Sequence, residues 1–205
     1  MQFATILAAV DKPDVFVMLN NVANAFSWVT LYFRYFLILL SLFWMLFALF
    51  NLWSVSVAGG GQASKLLPSK AQPTIMGAWM QAIVAGLLFI MAYKMLPAAL
   101  MSSLVTGDVI GVEVYSVGTY SPGNATNADI RALIQDVIGT LMQFIAWLAY
   151  FRGFNIWYQM GQGTTEHRAS RVIGYFFFGT LCMSFLWVNS LIANTLGFDL
   201  FGFFM

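Results

Sequence analysis

Charge is the scarcest property of this chain. Its 205 residues hold nine Lys or Arg, eight Asp or Glu and one His, so that only 8% are charged. Soluble domains carry about a quarter charged residues, and so little polarity cannot cover a water-facing globule. Cysteine and histidine each occur once. Cys182 can therefore form no disulfide within the chain, and its place in an apolar run suits a small buried hydrophobe. One histidine and one cysteine also cannot build an H-E-x-x-H pair or another zinc set. No G-x-S-x-G elbow occurs, and the acids are not paired for acid–base chemistry. "GGGQASK" lacks the glycine that should precede the Lys-Ser/Thr pair of a phosphate loop, and Leu66 follows Lys65, so a flexible linker is the plainer reading. The net charge of +1 offers no basic surface for a nucleic-acid backbone. A non-catalytic protein without metal, cofactor or direct nucleic-acid binding is expected.

What the chain does have is apolar bulk: 60% hydrophobic and 17% aromatic residues. A crossing helix needs about 20 apolar residues, so there is room for roughly four crossings and their loops, with little left for a soluble domain. Uncharged runs occur at Tyr35 to Val57, Ile75 to Tyr93, Val137 to Phe151 and Val172 to Leu196. The fold predicted is an all-α, polytopic membrane helix bundle forming a single domain over 1–205, with transmembrane helices at 35–57, 75–96, 133–158 and 172–196. The third run is shorter than a bilayer requires, and its helix reaches the needed length by continuing through Gly153 into "FNIWYQM". Its start is marked by "TNADIRAL", where Asn127 suits an N-cap and Asp129 the first turn.

Ahead of the first crossing, residues 13–33 open with Pro13 and place Val15, Leu19, Val22, Phe26, Val29 and Phe33 along one helical face. Asn20, Asn21, Asn24 and Ser27 fall largely on the other. The pattern predicts a separate amino-terminal helix lying in the membrane interface. The first ten residues have no basic side chain, which argues against a signal peptide. Residues 106–127 contain "IGVEVYSVGTY" and the turn "SPGN", suiting an extramembrane loop with a small hairpin. An even number of crossings puts both termini on one side. The basic residues of "GGGQASKLLPSK" and "GQGTTEHRASR" favour a cytoplasmic place for these two connections, hence both termini outside, which is the periplasmic side where the membrane is a bacterial inner one.

The segment "YFRGFNIWYQMGQGTTEHRASRVIGYFFFG", residues 150–179, gathers three of the nine basic residues and the only histidine. Arg152, Gly153, Gly161, Arg168 and Arg171 form a candidate loop. On the structural reading its arginines reach lipid headgroups. On the functional reading it docks another subunit, with Gly161 and Gly163 allowing a sharp turn. His167, beside Glu166 and Arg168, reads as a solvated loop residue. Lys94 and Asp136 are the ionisable groups nearest the spans; if the second helix continues past Pro97, Lys94 needs a partner, Asp136 or Glu113, and if it stops there Lys94 snorkels. Candidate packing faces are Ala78, Ala82 and Gly86 on the second helix, with Met91 toward lipid, and Ser190, Ala193, Asn194 and Gly197 on the fourth. Such faces serve contacts within one chain or between chains.

The carboxy-terminal half, "FRGFNIWYQMGQ" followed by "SRVIGYFFFGTLCMSFLWVNSLIANTLGF", resembles the IcmC/DotE-type inner-membrane proteins of type IVB secretion systems and the TraQ-like proteins of I-complex conjugation systems. The similarity covers residues 137 to 200. It rests on an Arg-Gly after one membrane helix, a short Gly-containing loop and a last helix ending in "NTLGF". Where the family often has Asn in the middle of that helix, this chain has Ser184. The resemblance implies a non-catalytic component of a secretion or conjugative DNA-transfer apparatus. Its partners would be other membrane subunits, membrane lipids and further copies of itself. A small channel or transporter and a pilin-like subunit are the alternatives that the residues leave open.

Overall fold

The computed structural model describes residues 15–58, 74–94, 127–163 and 169–197. All regular structure among them is helical: α1 Val15–Ala58, α2 Ile75–Lys94, α3 Asn127–Gly161, α4 Ala169–Met183 and α5 Phe185–Leu196. Three of these helices are long and apolar enough to cross a membrane, over Val17–Val57, Ile75–Tyr93 and Leu133–Gly161. The hairpin expected within 106–127 lies outside the described residues.

Two expected boundaries differ from those observed. The interfacial helix over 13–33 and the crossing over 35–57 are one continuous helix, α1, of 44 residues. No Gly or Pro stands between Val15 and Ala58, and Arg34, which lies between the two expected elements, is a good helix former. The expected crossing over 172–196 is two helices, with Ser184 as a turn residue between them. Ser184 N still donates to Thr180 O at 3.0 Å. A mid-helix serine offers the backbone a competing hydrogen bond. At 15 residues, α4 spans only about 22 Å, short of a hydrocarbon layer of about 30 Å.

The described chain divides into two compact units. One holds 15–29, 127–142 and 185–197. In it Ala23, Leu133 and Val137 are buried together, with Leu19 and Leu141 packed against them. Thr140 is fully buried and its hydroxyl donates to the Asp136 carbonyl at 2.8 Å.

The other unit holds 30–58, 74–94, 143–163 and 169–184. Contacts at both ends of its helices fix their directions. Asn51 meets Gln81 and Arg34 meets Ala92 and Tyr93, so α2 runs antiparallel to α1. Phe33 meets Phe144 and Phe151, and Trp44 stacks on Tyr158, so α3 runs parallel to α1. Tyr150 meets Thr180 and Gly153 meets Tyr175 and Phe176, so α4 runs antiparallel to α3. This alternation is the order a chain adopts when it crosses back and forth over a membrane.

The distribution of side chains is the reverse of a soluble bundle. On α1 the large apolar residues face outward, with Phe43 60% and Leu46 64% exposed. Thr30, Ser41, Asn51 and Ser54 are buried with Leu37 and Ala48. Lipid tails reward outward Phe and Leu as well as an interior would, so small and polar residues take the helix seams, where they permit close approach and hydrogen bonding. The Ser41 and Ser54 hydroxyls donate to carbonyls of their own helix, Ile38 O at 2.7 Å and Asn51 O at 2.9 Å, which removes their desolvation cost.

Candidate functional site

In the unit built from 30–58, 74–94, 143–163 and 169–184, the polar groups occupy three kinds of place: helix seams, helix ends and one outward face. The seams come first. The Asn51 amide nitrogen donates to Gln81 Oε1 at 2.8 Å, with both residues buried. Below this pair α2 and α3 approach so closely that a Cβ at Gly77 would collide with the Gly161 carbonyl oxygen, while one at Gly161 would meet Gln81 Cγ at 3.1 Å. Glycine at 77 and 161 thus brings two backbones together and seats Gln81 against Asn51. Between α3 and α4 the rule is glycine against ring. A Cβ at Gly153 would stand 3.3 Å from the Phe176 ring, and one at Gly179 would stand 3.0 Å from the Tyr150 ring. The Tyr150 and Thr180 hydroxyls are hydrogen-bonded at 2.9 Å, and Thr180 Oγ1 also reaches Phe176 O at 2.8 Å.

At one helix end, Arg34 Nε donates to the Ala92 carbonyl and its Nη2 to the Tyr93 carbonyl, the latter at 2.7 Å. A guanidinium on the last carbonyls of α2 satisfies acceptors that have no partner within the helix and meets the negative end of its dipole. At the other end, Gly163 takes φ 67° and its N–H donates to Met160 O, closing α3 with a left-handed glycine cap.

The interior also holds polar atoms with no partner among the described residues. Gln143 is 1% exposed and Trp147 fully buried, one turn apart on α3; both Gln143 amide atoms and the Trp147 Nε1 are unpaired, as is Asn51 Oδ1. Among the described residues no three His, Cys, Asp or Glu side chains gather to hold a metal ion.

The sequence-derived candidates fall as follows. Ala78 is buried in the α2 seam. Ala82 is only half-buried, and a Cβ at Gly86 would meet nothing within 4 Å, so within this chain the close approach is at Gly77 instead. Met91, expected toward lipid, is 5% exposed and packs inward with Leu88 and Ala92. In α5 Asn194 is exposed and Asn189 buried, and just past its end a Cβ at Gly197 would meet nothing within 4 Å. The side chains of Ser190 and Ala193 lie outside the described ones. Arg152 and Gly153 belong to α3 and not to a loop: Arg152 is exposed, Gly153 is buried against α4. Gly161 ends α3 and Arg171 is exposed near the start of α4. Arg168, His167 and Glu166 lie outside the described residues, as does the side chain of Lys94, and with it any pairing to Asp136. Cys182 is buried, as a small hydrophobe should be.

The fold defines a class, that of helical proteins with apolar spans long enough to cross a membrane. No known protein family, curated protein or solved structure matches the chain.

Proposed function

We propose that the chain is a non-catalytic subunit of a multi-component bacterial inner-membrane apparatus, of the secretion or conjugative DNA-transfer kind that its carboxy-terminal half resembles. It acts through contacts with other membrane subunits and with lipid. The observation that carries this reading is a set of outward features that packing within the chain leaves unused. Arg152 is exposed in a membrane-spanning helix, and Cβ atoms at Gly86 and Gly174 would meet nothing within 4 Å. An isolated bundle gains nothing from an arginine on its apolar surface, whereas a subunit with neighbours does.

The test is the native mass of the protein extracted from its own membranes in mild detergent. A species well above one chain, containing products of adjacent genes, supports the reading; a single chain in every detergent overturns it. Orientation is checked with single cysteines at Ser69, Thr165 and Asn124 in a Cys182→Ser background. An impermeant thiol reagent should label Asn124 in intact cells, and labelling of Ser69 or Thr165 instead would reverse the topology.

One observation favours a second reading, a small channel or transporter: the unpaired Gln143 amide and Trp147 indole on one face of α3. On that reading Gln143→Leu abolishes solute movement while leaving the native mass unchanged. On the first it leaves transfer intact.

A further inference from the structure

The apolar part of α1 is too long for the membrane it crosses. It runs from Val17 to Val57, 41 residues, or about 60 Å of helix against a hydrocarbon layer of about 30 Å. Tilting by about 40°, the top of the range for membrane helices, still leaves about 46 Å of height. The excess lies at the amino end. With 20 residues, α2 needs the whole layer, and it lies along α1 from Asn51, which meets Gln81, to Arg34, which meets Ala92 and Tyr93. Residues 17–33, about 25 Å of α1, therefore continue past the lipid tails.

This excess carries an exposed apolar stripe. Met18, Val22, Ala25, Val29 and Tyr32 are all exposed, at steps of four and three residues. That is the spacing of a coiled-coil seam, with valine at the a positions and Met18, Ala25 and Tyr32 at the d positions. Ala23, on the opposite face, is buried with Leu133 and Val137. From Phe36 to Val57 the same steps continue without a polar residue, and there lipid tails are sufficient cover. Ahead of Arg34 the tails are out of reach, and a contiguous apolar stripe left to water marks a contact surface.

We infer that residues 18–32 of α1 form a parallel, two-stranded seam with the same residues of a second copy of this chain. Copies of a membrane protein insert in one sense, so equal residues of two α1 helices stand at equal height. A two-fold axis along the membrane normal then sets each stripe residue against its own counterpart. A charge on the stripe would forbid this, because it would face itself. From Val15 to Phe33 there is no Asp, Glu, Lys, Arg or His. Val22 and Val29 at the a positions favour two parallel strands, and Ala25 between them lets the two backbones come close. The inference rests on the subunit reading above and deepens it by making a second copy one of the partners and naming the face that binds it.

The experiment is a scan of single cysteines from 21 to 29 in a Cys182→Ser background, oxidised in the native membranes and read as a species of twice the chain mass. The expected yield peaks at Val22→Cys, Ala25→Cys and Val29→Cys, at least about fivefold above Asn24→Cys. Ala25→Glu should abolish the adduct of Val29→Cys, as should Ala25→Lys, and co-expressing the two should restore it. That rescue separates lost pairing from lost folding. A yield without the period, a peak on the Asn24 face, adducts with other proteins alone, or a Val29→Cys adduct unchanged by Ala25→Glu each overturns the inference. Cover by another segment of this chain leaves no cysteine to bond, so it gives no adduct and overturns the inference as well. If no self-adduct forms while the native mass still includes other proteins, the seam fails and the subunit reading stands. A self-adduct in a species of two chains alone keeps the seam and removes the subunit reading.

Discussion

Two alanine substitutions on one helix should have opposite signs. At Gly77 a new Cβ strikes the carbonyl oxygen of Gly161, a backbone atom that cannot rotate away. At Gly86, also within α2, it meets nothing within 4 Å. Helix propensity favours alanine at both positions by up to about 1 kcal/mol. At Gly77 that gain is opposed by overpacking, about 1 to 3 kcal/mol. Any separation of α2 from α3 also draws Gln81 off Asn51, and an unpaired buried amide costs about 1 to 3 kcal/mol more. The net expectation is about 1 to 5 kcal/mol of destabilisation for Gly77→Ala and a gain of up to about 1 kcal/mol for Gly86→Ala. For a chain of this size 1 kcal/mol corresponds to roughly 2 to 4 °C. Thermal unfolding of the detergent-solubilised single chain, followed by loss of the monodisperse peak, reads the difference. Equal midpoints for the two variants, or Gly77→Ala melting above wild type, would refute the assignment of 77 and 161 as the close approach of α2 and α3.

Three further outcomes follow from the same unit. Asn51→Leu alone should cost about 1 to 3 kcal/mol by stranding Gln81, and adding Gln81→Met should recover part of that loss, since neither amide is then left alone; additive losses in thermal unfolding would contradict the pairing. Arg34→Met removes two charge-assisted bonds to the end of α2, worth about 1.5 to 3 kcal/mol each. It should speed amide exchange selectively in the last turn of that helix, and uniform exchange along α2 would show that the cap is unimportant. Gln143→Met replaces an unpaired buried amide by an apolar side chain of similar length and should leave the protein as stable or more so, by up to about 2 kcal/mol. A fall in melting temperature would mean that the amide makes bonds in the folded protein.

The starts of α2 and α3 were legible in the residues, whereas the spans expected over 75–96 and 133–158 belong to helices that end at Lys94 and Gly161. The uncharged run from Ile75 to Tyr93 coincides with α2, which ends at Lys94, and "TNADIRAL" marks the start of α3 at Asn127. The αL cap at Gly163 follows from a glycine placed just past the last turn. The helix faces were not legible by the rule that large apolar residues turn inward. On α1 that rule selects Val22 and Val29, which are exposed, and turns Asn20 away, which is buried. The signal that would have served is a recurrence every seven positions in which small or polar residues predominate, with Ser41, Ala48 and Val55 in one series and Ala23, Thr30, Leu37 and, past Trp44, Asn51 in the other. A seam of that kind is what helices in lipid bury, because packing and hydrogen bonding bring them together there and water does not. Gly77 escaped notice for a related reason. It stands in the first turn of α2, out of step with the four-residue ladder of Ala78, Ala82 and Gly86, and only the position of Gly161 on another helix makes its lack of a side chain matter. Arg34 escaped because its partners are backbone carbonyls nearly sixty residues later, which no local pattern announces.

The connection between α3 and α4 is only seven residues, 162–168, and that has a consequence for how the chain is made. The crossing over Leu133–Gly161 is the least apolar of the three, and it carries Arg152, Asn155 and Gln159, each of which resists partition from the translocon into lipid. When α3 emerges from the ribosome, α4 is seven residues behind it. The Phe176 ring against Gly153 and the Tyr150–Thr180 bond can then form before either helix is released. The two helices are thus suited to enter the bilayer as a hairpin, with α4 acting as an escort for a segment that would insert poorly alone. A nascent chain arrested after Gly163 should leave α3 accessible to protease or still bound at the translocon, and extending synthesis through Met183 should release it into the membrane.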